Sequence, residues 1–261
     1  MAFELPIDLQ RSRILLSNDD GINAPGLAVL ERIARTLSDD VWVVAPETEQ
    51  SASSHSLTLH RPLRLREIDE RHFALDGRPT DCALLAINMI MRDRKPDLVL
   101  SGINFGRNIC DDVTYSGTIA VAMEATLLGV PAIALSQAVD GGGATDFAAA
   151  EHWGAELIRR LVRASWPDTV LINVNFPACA ANAVTGVRVV PHGKRKIADD
   201  VCERVDPRGR TYYWIGPLHE SEEVTPGSDH AVLLSQGIAV TPLHLDLTHQ
   251  PTIAALDLAL R

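Results

Sequence analysis

The chain has 261 residues, of which 46% are hydrophobic and 22% are charged, and this is enough for one large domain or two small ones. Lys and Arg number 24 against 34 Asp and Glu, so the formal net charge is −10. This balance argues against binding to a nucleic-acid polymer, which needs a broad basic surface. A small anionic substrate would need positive charge supplied at its own site.

Two further exclusions concern membranes and secretion. The longest apolar stretch, residues 120–135, is interrupted by Glu124 and Pro131, which is not typical of a membrane-spanning helix. Residues 1–13 lack the apolar core of a secretory signal. The cysteines show no CxxC spacing, which favours reduced thiols over a disulfide framework or a zinc site. We therefore expect a cytoplasmic protein with no membrane partner.

Strand and helix patterns alternate along the first two thirds of the chain. Short apolar runs predict strands at 13–17, 41–45, 97–101, 132–136 and 169–174, with a less regular β region over 57–75. Helical spacing of apolar residues predicts helices at 25–37, 81–91, 117–128 and 146–162, the second with Thr80 as its N-cap. Repeated β–α–β units of this length predict an α/β fold, a Rossmann-like three-layer core with a mostly parallel sheet.

The pattern changes after Pro177. Short β-branched or aromatic runs at 187–191, 211–215 and 238–241, separated by Gly and Pro, predict a C-terminal β-hairpin extension. The charged segment 195–210 is expected to project from the core. The predicted organisation is a flexible N-terminal tail at 1–12 and a single domain at 13–261, with its core at about 13–177 and a β-rich extension at about 186–248.

A pair of adjacent aspartates follows the first predicted strand. Asp19 and Asp20 stand between Asn18 and Gly21, at the carboxyl end of a strand where α/β proteins form their sites. Both carboxylates can reach one point only if the strand has ended and a turn has begun, and a divalent cation would remove their mutual repulsion. The alternative is an Asx-type turn that caps the helix starting at Pro25.

Three other polar motifs follow predicted strands. Asn104 lies in a glycine-rich segment after the third of these strands, and Ser116 opens the helix at 117–128, where free amides favour an anion. Ser51 and His55 lie in a Ser-rich loop and could supply a hydroxyl ligand and an acid or base. Each motif alone has an ordinary alternative, namely a glycine loop, a helix N-cap or a solvated loop.

Taken together, these motifs favour a phosphate ester as substrate. All of them lie at the same edge of the predicted sheet, and they offer carboxylate, amide and hydroxyl oxygens. Hard oxygen ligands select Mg²⁺, Mn²⁺ or Ca²⁺ over zinc. A hard cation beside a helix N-terminus neutralises phosphate charge and can activate a water for hydrolysis.

Residues 14–26, with the sequence Ile-Leu-Leu-Ser-Asn-Asp-Asp-Gly-Ile-Asn-Ala-Pro-Gly, resemble the opening motif of the SurE family, the survival-protein nucleotidases. Further matches in the same order are Val-Val-Ala-Pro at 43–46, Ser-Leu-Thr at 56–58, Pro-Thr-Asp-Cys at 79–82, Ser-Gly-Ile-Asn at 101–104, Tyr-Ser-Gly-Thr at 115–118 and Thr-Pro-Leu at 241–243. The resemblance therefore covers nearly the whole chain.

The resemblance implies a metal-dependent 5′-nucleotidase that hydrolyses nucleoside 5′- and 3′-monophosphates, with some activity on short polyphosphate. It also implies a homodimer or homotetramer, joined through the C-terminal hairpins and exchanged segments. Matched motif by motif, it implies one divalent ion per subunit, Mg²⁺ or Mn²⁺, bound by Asp19, Asp20, Ser51 and Asn104. For the phosphate we expect contacts from Asn108, Ser116, Gly117, Thr118 and His55, while Asp19 or Asp20 could also orient the attacking water.

Two positions depart from the pattern of the family. Phe105 and Cys110 stand where smaller residues are usual, and we expect them to narrow the substrate pocket. Two rival functions stay open. One is a nucleotide-binding module that does not hydrolyse its ligand, although paired aspartates repel phosphate unless a metal intervenes. The other is a phosphatase of the haloacid-dehalogenase type, whose Asp-x-Asp spacing differs from the adjacent aspartates found here.

Overall fold

The computed structural model describes residues 3, 6–139, 146–194, 196–220 and 223–261. The strands are β1 (Arg13–Ser17), β2 (Asp40–Pro46), β3 (Leu65–Asp69), β4 (His72–Leu75), β5 (Leu98–Phe105), β6 (Ala132–Gln137), β7 (Val170–Phe176), β8 (Val187–Val189), β9 (Lys196–Val205), β10 (Thr211–Glu220) and β11 (Ile238–His244). The helices are α1 (Pro25–Arg35), α2 (Pro79–Leu85), α3 (Gly117–Leu127), α4 (Ala148–Leu161), α5 (Asp229–Leu234) and α6 (Gln250–Ala259).

Nine of these strands form one sheet in the order β3-β4-β2-β1-β5-β6-β7-β11-β8. The six strands β4, β2, β1, β5, β6 and β7 pair in parallel, which confirms the predicted α/β class. The chain leaves β1 toward β2 and later returns on the other side as β5. This reversal of strand order lies between β1 and β5, where open α/β sheets form their ligand crevice.

The central strand β1 is buried on both faces. Ile14 and Leu16 pack into the same apolar cluster as side chains of α1 and α4. Leu15 points to the opposite face and packs into a second cluster with side chains of α2 and α3. Two helical layers therefore cover one sheet, as the apolar run of β1 predicts.

The helix predicted at 81–91 differs from the structure at its start. Arg78 is the N-cap of α2, and Thr80 lies inside the first turn, so the prediction of Thr80 as N-cap was wrong. The carboxylate of Asp81 makes the capping contact instead, because it accepts a hydrogen bond from the backbone N–H of Arg78 at 2.8 Å. The α-helical part ends at Leu85, and a π-helical turn, Ala86–Ile90, follows it directly.

The C-terminal extension is only partly a hairpin. Strands β9 and β10 form an antiparallel pair in a sheet of their own. Of the two, only β10 contains a predicted β run, at 211–215, whereas the segment of β9 was expected to project from the core as a charged stretch. In contrast, β11 pairs antiparallel with β7, and β8 pairs parallel with β11, so both extend the main sheet. Ile238, Ala239 and Val240 are buried in this position, and Ile238 and Val240 pack in the same apolar cluster as Ile172 and Val174 of β7, which favours this pairing. Helices α5 and α6 were not predicted.

The described part of the N-terminal segment contacts the domain. The backbone N–H of Ile7 donates to the carbonyl of Val162 at 3.2 Å, and Leu9 is buried. The ring of Phe3 packs edge-on against Trp166, with 6.3 Å between the ring centroids. These contacts differ from the flexible tail expected at 1–12. Among the described residues, no helix has both the length and the apolar character needed to cross a membrane.

Candidate active site

The polar motifs meet at the carboxyl edge of the sheet. Because β1 and β5 pair in parallel register, with Ser17 beside Ser101, the segments that follow the two strands leave the sheet side by side. They border a cleft of about 220 Å³. The side chains lining it include five of the predicted site residues, Asp19, Ser51, Asn104, Asn108 and Ser116, together with Phe105, Arg107, Asp112 and Tyr115.

Asp19 is the most buried acid of the cleft, with 4% of its surface exposed. The hydroxyl of Thr118 donates to its Oδ1. A Cβ at residue 117 would lie 2.7 Å from Asp19 Cβ, so only glycine lets the start of α3 come this close. Burial raises the pKa of Asp19, although hydrogen bonds from Thr118 and from the amides of Thr118 and Gly117 oppose the rise. The carboxylate thus lies at the positive end of α3.

Asp20 stands beside Asp19 in the turn. Its Oδ2 accepts a hydrogen bond from the backbone N–H of Phe105 at 3.0 Å, which joins the end of β1 to the end of β5. Burial raises the pKa of Asp20 to about 6, the Phe105 amide opposes the rise, and the charges of Asp19 and Glu49 add to it. Burial is thus the main cause of the raised pKa and the neighbouring carboxylates are a smaller one, and a bound cation would oppose both.

The turn itself explains why both aspartates reach the cleft. Strand β1 ends at Ser17, and the side chain of Asn18 closes the turn by donating from Nδ2 to the carbonyl of Gly21 at 2.9 Å. The alternative that the aspartates cap the next helix does not fit, because the N-cap of α1 is Ala24 and receives no side-chain capping bond.

Asn104 is fixed at the end of β5. Its Nδ2 donates to the carbonyl of Gly106 at 2.9 Å, so the side-chain oxygen is the atom left for a ligand. Gly26 of the Ala-Pro-Gly motif lies against the same segment, where a Cβ would be 1.9 Å from the carbonyl oxygen of Ile103. Glycine at this position therefore lets α1 approach the backbone that carries Asn104.

The Ser-rich loop is tied to both neighbouring segments. The N–H of Gln50 donates to the carbonyl of Asp19 at 2.7 Å, and the hydroxyl of Ser54 donates to the carbonyl of Thr114 at 2.8 Å. Of the serines in this loop, Ser51 lines the cleft, and its hydroxyl donates to Glu49 at 2.8 Å. The hydroxyl oxygen of Ser53 is buried and has no hydrogen-bond partner among the residues that the structure describes.

Asn108 belongs to a buried amide network. Its Nδ2 donates to Ser136 at 2.9 Å, and its backbone N–H donates to the side chain of Asn175 at 2.8 Å. Its carbonyl accepts from the side chains of Asn173 and Asn175. Sequence reasoning missed these partners, although two asparagines at alternate positions of an otherwise apolar strand were a visible signal.

The remaining predicted residues have other contacts. Ser116 caps α3 by accepting from the N–H of Ile119 at 3.1 Å, so the N-cap role is present whether or not a ligand binds. His55 has its Nε2 at 2.9 Å from Glu124 Oε2 and is not among the described residues that line the cleft. Glu124 was also missed by sequence reasoning. Cys110 is buried and its thiol is hydrogen-bonded to Asp229. It is not among the described residues that line the cleft, so the expectation that it narrows the substrate pocket was wrong.

The donor set fits a hard cation. In the part of the chain that the structure describes, no group of three His, Cys, Asp or Glu side chains could hold a metal ion. The candidate ligands are instead two adjacent carboxylates, an amide oxygen and a hydroxyl, which suit Mg²⁺ or Mn²⁺ rather than zinc.

Comparison with known proteins gives consistent matches. The model of the family described as Survival protein SurE matches residues 14–199. A 5′-nucleotidase SurE from Paramagnetospirillum magneticum is 55% identical over 259 residues, which cover 99% of this chain and 100% of that protein. One from Rhodospirillum rubrum is 55% identical over 252 residues, covering 95% of this chain and 96% of the relative. The crystal structure of SurE from Aquifex aeolicus superposes with a TM-score of 0.83 at 36% identity, covering 95% of this chain and 100% of that one.

Proposed function

The chain belongs to the survival protein SurE family, and from this we propose that it is a 5′-nucleotidase, which hydrolyses nucleoside monophosphates with the help of a divalent cation. The observation that carries the proposal is the pair of adjacent carboxylates at the carboxyl ends of β1 and β5, where Asp19 is buried and Asp20 is half-buried. Such a pair repels phosphate by itself. A bound cation would offset this repulsion, so that the two carboxylates could take part in binding a phosphate ester.

We propose that Asp19, Asp20, Ser51 and Asn104 hold one Mg²⁺ or Mn²⁺ ion. The chemistry that such an ion supplies is neutralisation of phosphate charge and activation of water. The protein contributes rigid positions for these oxygens. Thr118 and the first amides of α3 orient Asp19, and the amide of Phe105 orients Asp20. Either aspartate could also align the attacking water.

For the phosphate we propose Asn108 and Ser116, which line the cleft beside Asp19. Gly117 and Thr118 contribute the positive end of α3, although in this structure they face the Asp19 carboxylate. His55 stays a prediction, because its ring is bonded to Glu124 and would have to leave that partner to reach a phosphate. We include short polyphosphate among the proposed substrates, because its terminal phosphate carries a negative charge similar to that of a nucleoside monophosphate.

We also propose that the protein acts in the cytoplasm as a homodimer or homotetramer. Tyr213, Trp214 and Ile215 of β10 are exposed, as are Leu256 and Leu258 of α6. Apolar surface of this extent is typical of a protein–protein contact. Light scattering on the purified protein tests the proposal, and a monomer at all concentrations would contradict it.

The activity is tested with nucleoside monophosphates and p-nitrophenyl phosphate, assayed with EDTA and with added Mg²⁺ or Mn²⁺. We expect hydrolysis that EDTA abolishes and either metal restores. Binding of a nucleotide without release of phosphate would support a non-hydrolytic binding module instead. Trapping of a phosphorylated aspartate would support the haloacid-dehalogenase mechanism.

A further inference from the structure

We infer that the ring of Phe105 is a stacking surface for the base of a nucleoside monophosphate. The chain would then prefer substrates that carry a base over phosphate esters that lack one. The inference rests on the proposed function, because it assumes that the phosphate lies beside Asp19 and Asp20.

Phe105 is the exposed end of a buried strand. The large side chains of β5 before it, Leu98, Leu100 and Ile103, are fully buried, whereas 49% of the surface of Phe105 is exposed. Phe105 is one of the residues that line the cleft containing Asp19 and Asn104. The ring therefore adds little to the core and presents an aromatic surface at the place where a substrate would bind.

The backbone that carries this ring is held at three points. The N–H of Phe105 donates to Asp20, the N–H of Gly106 donates to the carbonyl of Gln137 at 2.9 Å, and the side chain of Asn104 donates to the carbonyl of Gly106. The Cα and Cβ atoms that carry the ring thus keep a fixed place relative to the carboxylates, and only the side-chain torsions of Phe105 are left to move the ring. A fixed place lowers the entropy cost of binding, because little of the surface must be ordered when the base arrives.

The size of the cleft places the base at its mouth. Its volume of about 220 Å³ is smaller than the roughly 300–1,000 Å³ of pockets that enclose a whole drug-sized ligand. Phosphate and sugar would fill the polar part around Asp19, so the base would lie over the rim. Phe105 is at this rim, and Tyr115, 48% exposed, lines the same cleft. Every nucleobase has an apolar face that stacks on such a ring, and purines offer the larger one.

The first test compares kcat/KM for AMP with kcat/KM for ribose 5-phosphate, both with Mg²⁺. In Phe105→Ala we expect the ratio of the two values to fall about 10-fold, mainly through a higher KM for AMP. Phe105→Leu keeps apolar bulk without an aromatic face, and we expect it to lower the ratio nearly as much as Phe105→Ala does. Phe105→Trp keeps an aromatic face and should retain the wild-type ratio. Leu127→Ala, an exposed apolar position on α3 outside the cleft, is the matched control.

The outcomes separate the two proposals. A wild-type protein that hydrolyses neither substrate contradicts the proposed function. A wild-type protein that hydrolyses both, with a ratio unchanged in Phe105→Ala or in Phe105→Leu, contradicts only the role of the ring.

A second test measures stacking directly. The fluorescence of 2-aminopurine falls when its base stacks, so 2-aminopurine riboside is titrated with the Mg²⁺-loaded protein. We expect quenching by the wild type and by Phe105→Trp, and its loss in Phe105→Ala and Phe105→Leu. Equal quenching in Phe105→Ala, or none in the wild type, would overturn the inference.

Discussion

The carboxylate of Asp229 accepts a hydrogen bond from the backbone N–H of Cys110 at 2.9 Å, across 119 positions of sequence. The same carboxylate accepts from the N–H of Gly193 at 2.9 Å and from the thiol of Cys110 at 3.4 Å. Asp229 is fully buried. It therefore joins the start of α5 to the turn Cys110–Thr114, which leads into Ser116 and the candidate site.

Replacing Asp229 should destabilise the whole domain. Asp229→Ala removes the acceptor of three buried backbone donors, the N–H groups of Cys110, Gly193 and His230, and we expect the free energy of unfolding to fall by about 3 kcal/mol. Asp229→Asn keeps one acceptor oxygen, so its free energy of unfolding should lie between those of Asp229→Ala and the wild type. Urea unfolding measures the loss, with Asp257→Ala as a control, because its exposed ion pair with Arg261 contributes little. If the free energy of unfolding fell no further in Asp229→Ala than in the control, the buried hydrogen bonds of Asp229 would not be needed for stability.

Asp19→Asn should separate cation binding from folding. We expect metal-dependent turnover to fall by about 100-fold or more, since one carboxylate of the proposed ligand pair is lost. Without metal the melting temperature of the variant should be no lower than that of the wild type. Burial makes the negative charge of Asp19 unfavourable, and Asn carries no charge. Added Mg²⁺ should raise the melting temperature of the wild type but not of the variant.

The matched control for Asp19→Asn is Asp112→Asn. Asp112 lines the same cleft but is not one of the proposed ligands. It should keep the Mg²⁺-dependent rise in melting temperature. Equal rises in the Asp19 and Asp112 variants would remove Asp19 from the ligand set.

Two helix caps distinguish a structural serine from one that also binds phosphate. Ser116 caps α3, and Ser228 caps α5 in the same way by accepting from the N–H of Ala231. Either Ser→Ala change should cost about 1 kcal/mol of stability. Only Ser116→Ala should also lower kcat/KM for AMP, because only Ser116 lines the cleft. Equal kcat/KM in both variants would restrict Ser116 to capping.

The stability contributed by His72 should depend on pH. Its ring lies 2.7 Å from Asp69 and 3.0 Å from Glu31, which also pairs with Arg35. Burial lowers the pKa of His72, but the hydrogen bonds and charges of Asp69 and Glu31 outweigh it, so the pKa is raised above 6.5. This contribution is present in full below about pH 6.5 and is lost as pH rises through the raised pKa.

His72→Gln tests this expectation by thermal melting. The variant should lower the melting temperature more at about pH 5.5 than at about pH 8.5, because only protonated His72 gains from both carboxylates. An equal loss at the two pH values would mean that packing, and not charge, accounts for the effect of His72.

The parallel core was predictable because its strands are buried on both faces. Such strands appear in the sequence as short apolar runs, and β1 has the predicted bounds. The position of the site was predictable for a related reason. Polar motifs that follow parallel strands must meet at one edge, and Asp19, Asn104 and Ser116 do line one cleft.

Long-range pairings had no comparable signal. Nothing local distinguishes an isolated hairpin from strands β8 and β11 that join the main sheet. The contacts of His55 with Glu124 and of Cys110 with Asp229 join residues 69 and 119 positions apart. Only the folded chain brings these partners together, so residue types and spacing could not predict them.

The hydrogen bonds to the two aspartates limit how they could coordinate an ion. Oδ1 of Asp19 is occupied by the Thr118 hydroxyl, and Oδ2 of Asp20 is occupied by the Phe105 amide. The amides of Gly117 and Thr118 also face the Asp19 carboxylate. An incoming ion would therefore meet two carboxylates whose directions the chain has already fixed, and little of the site would have to be ordered on binding.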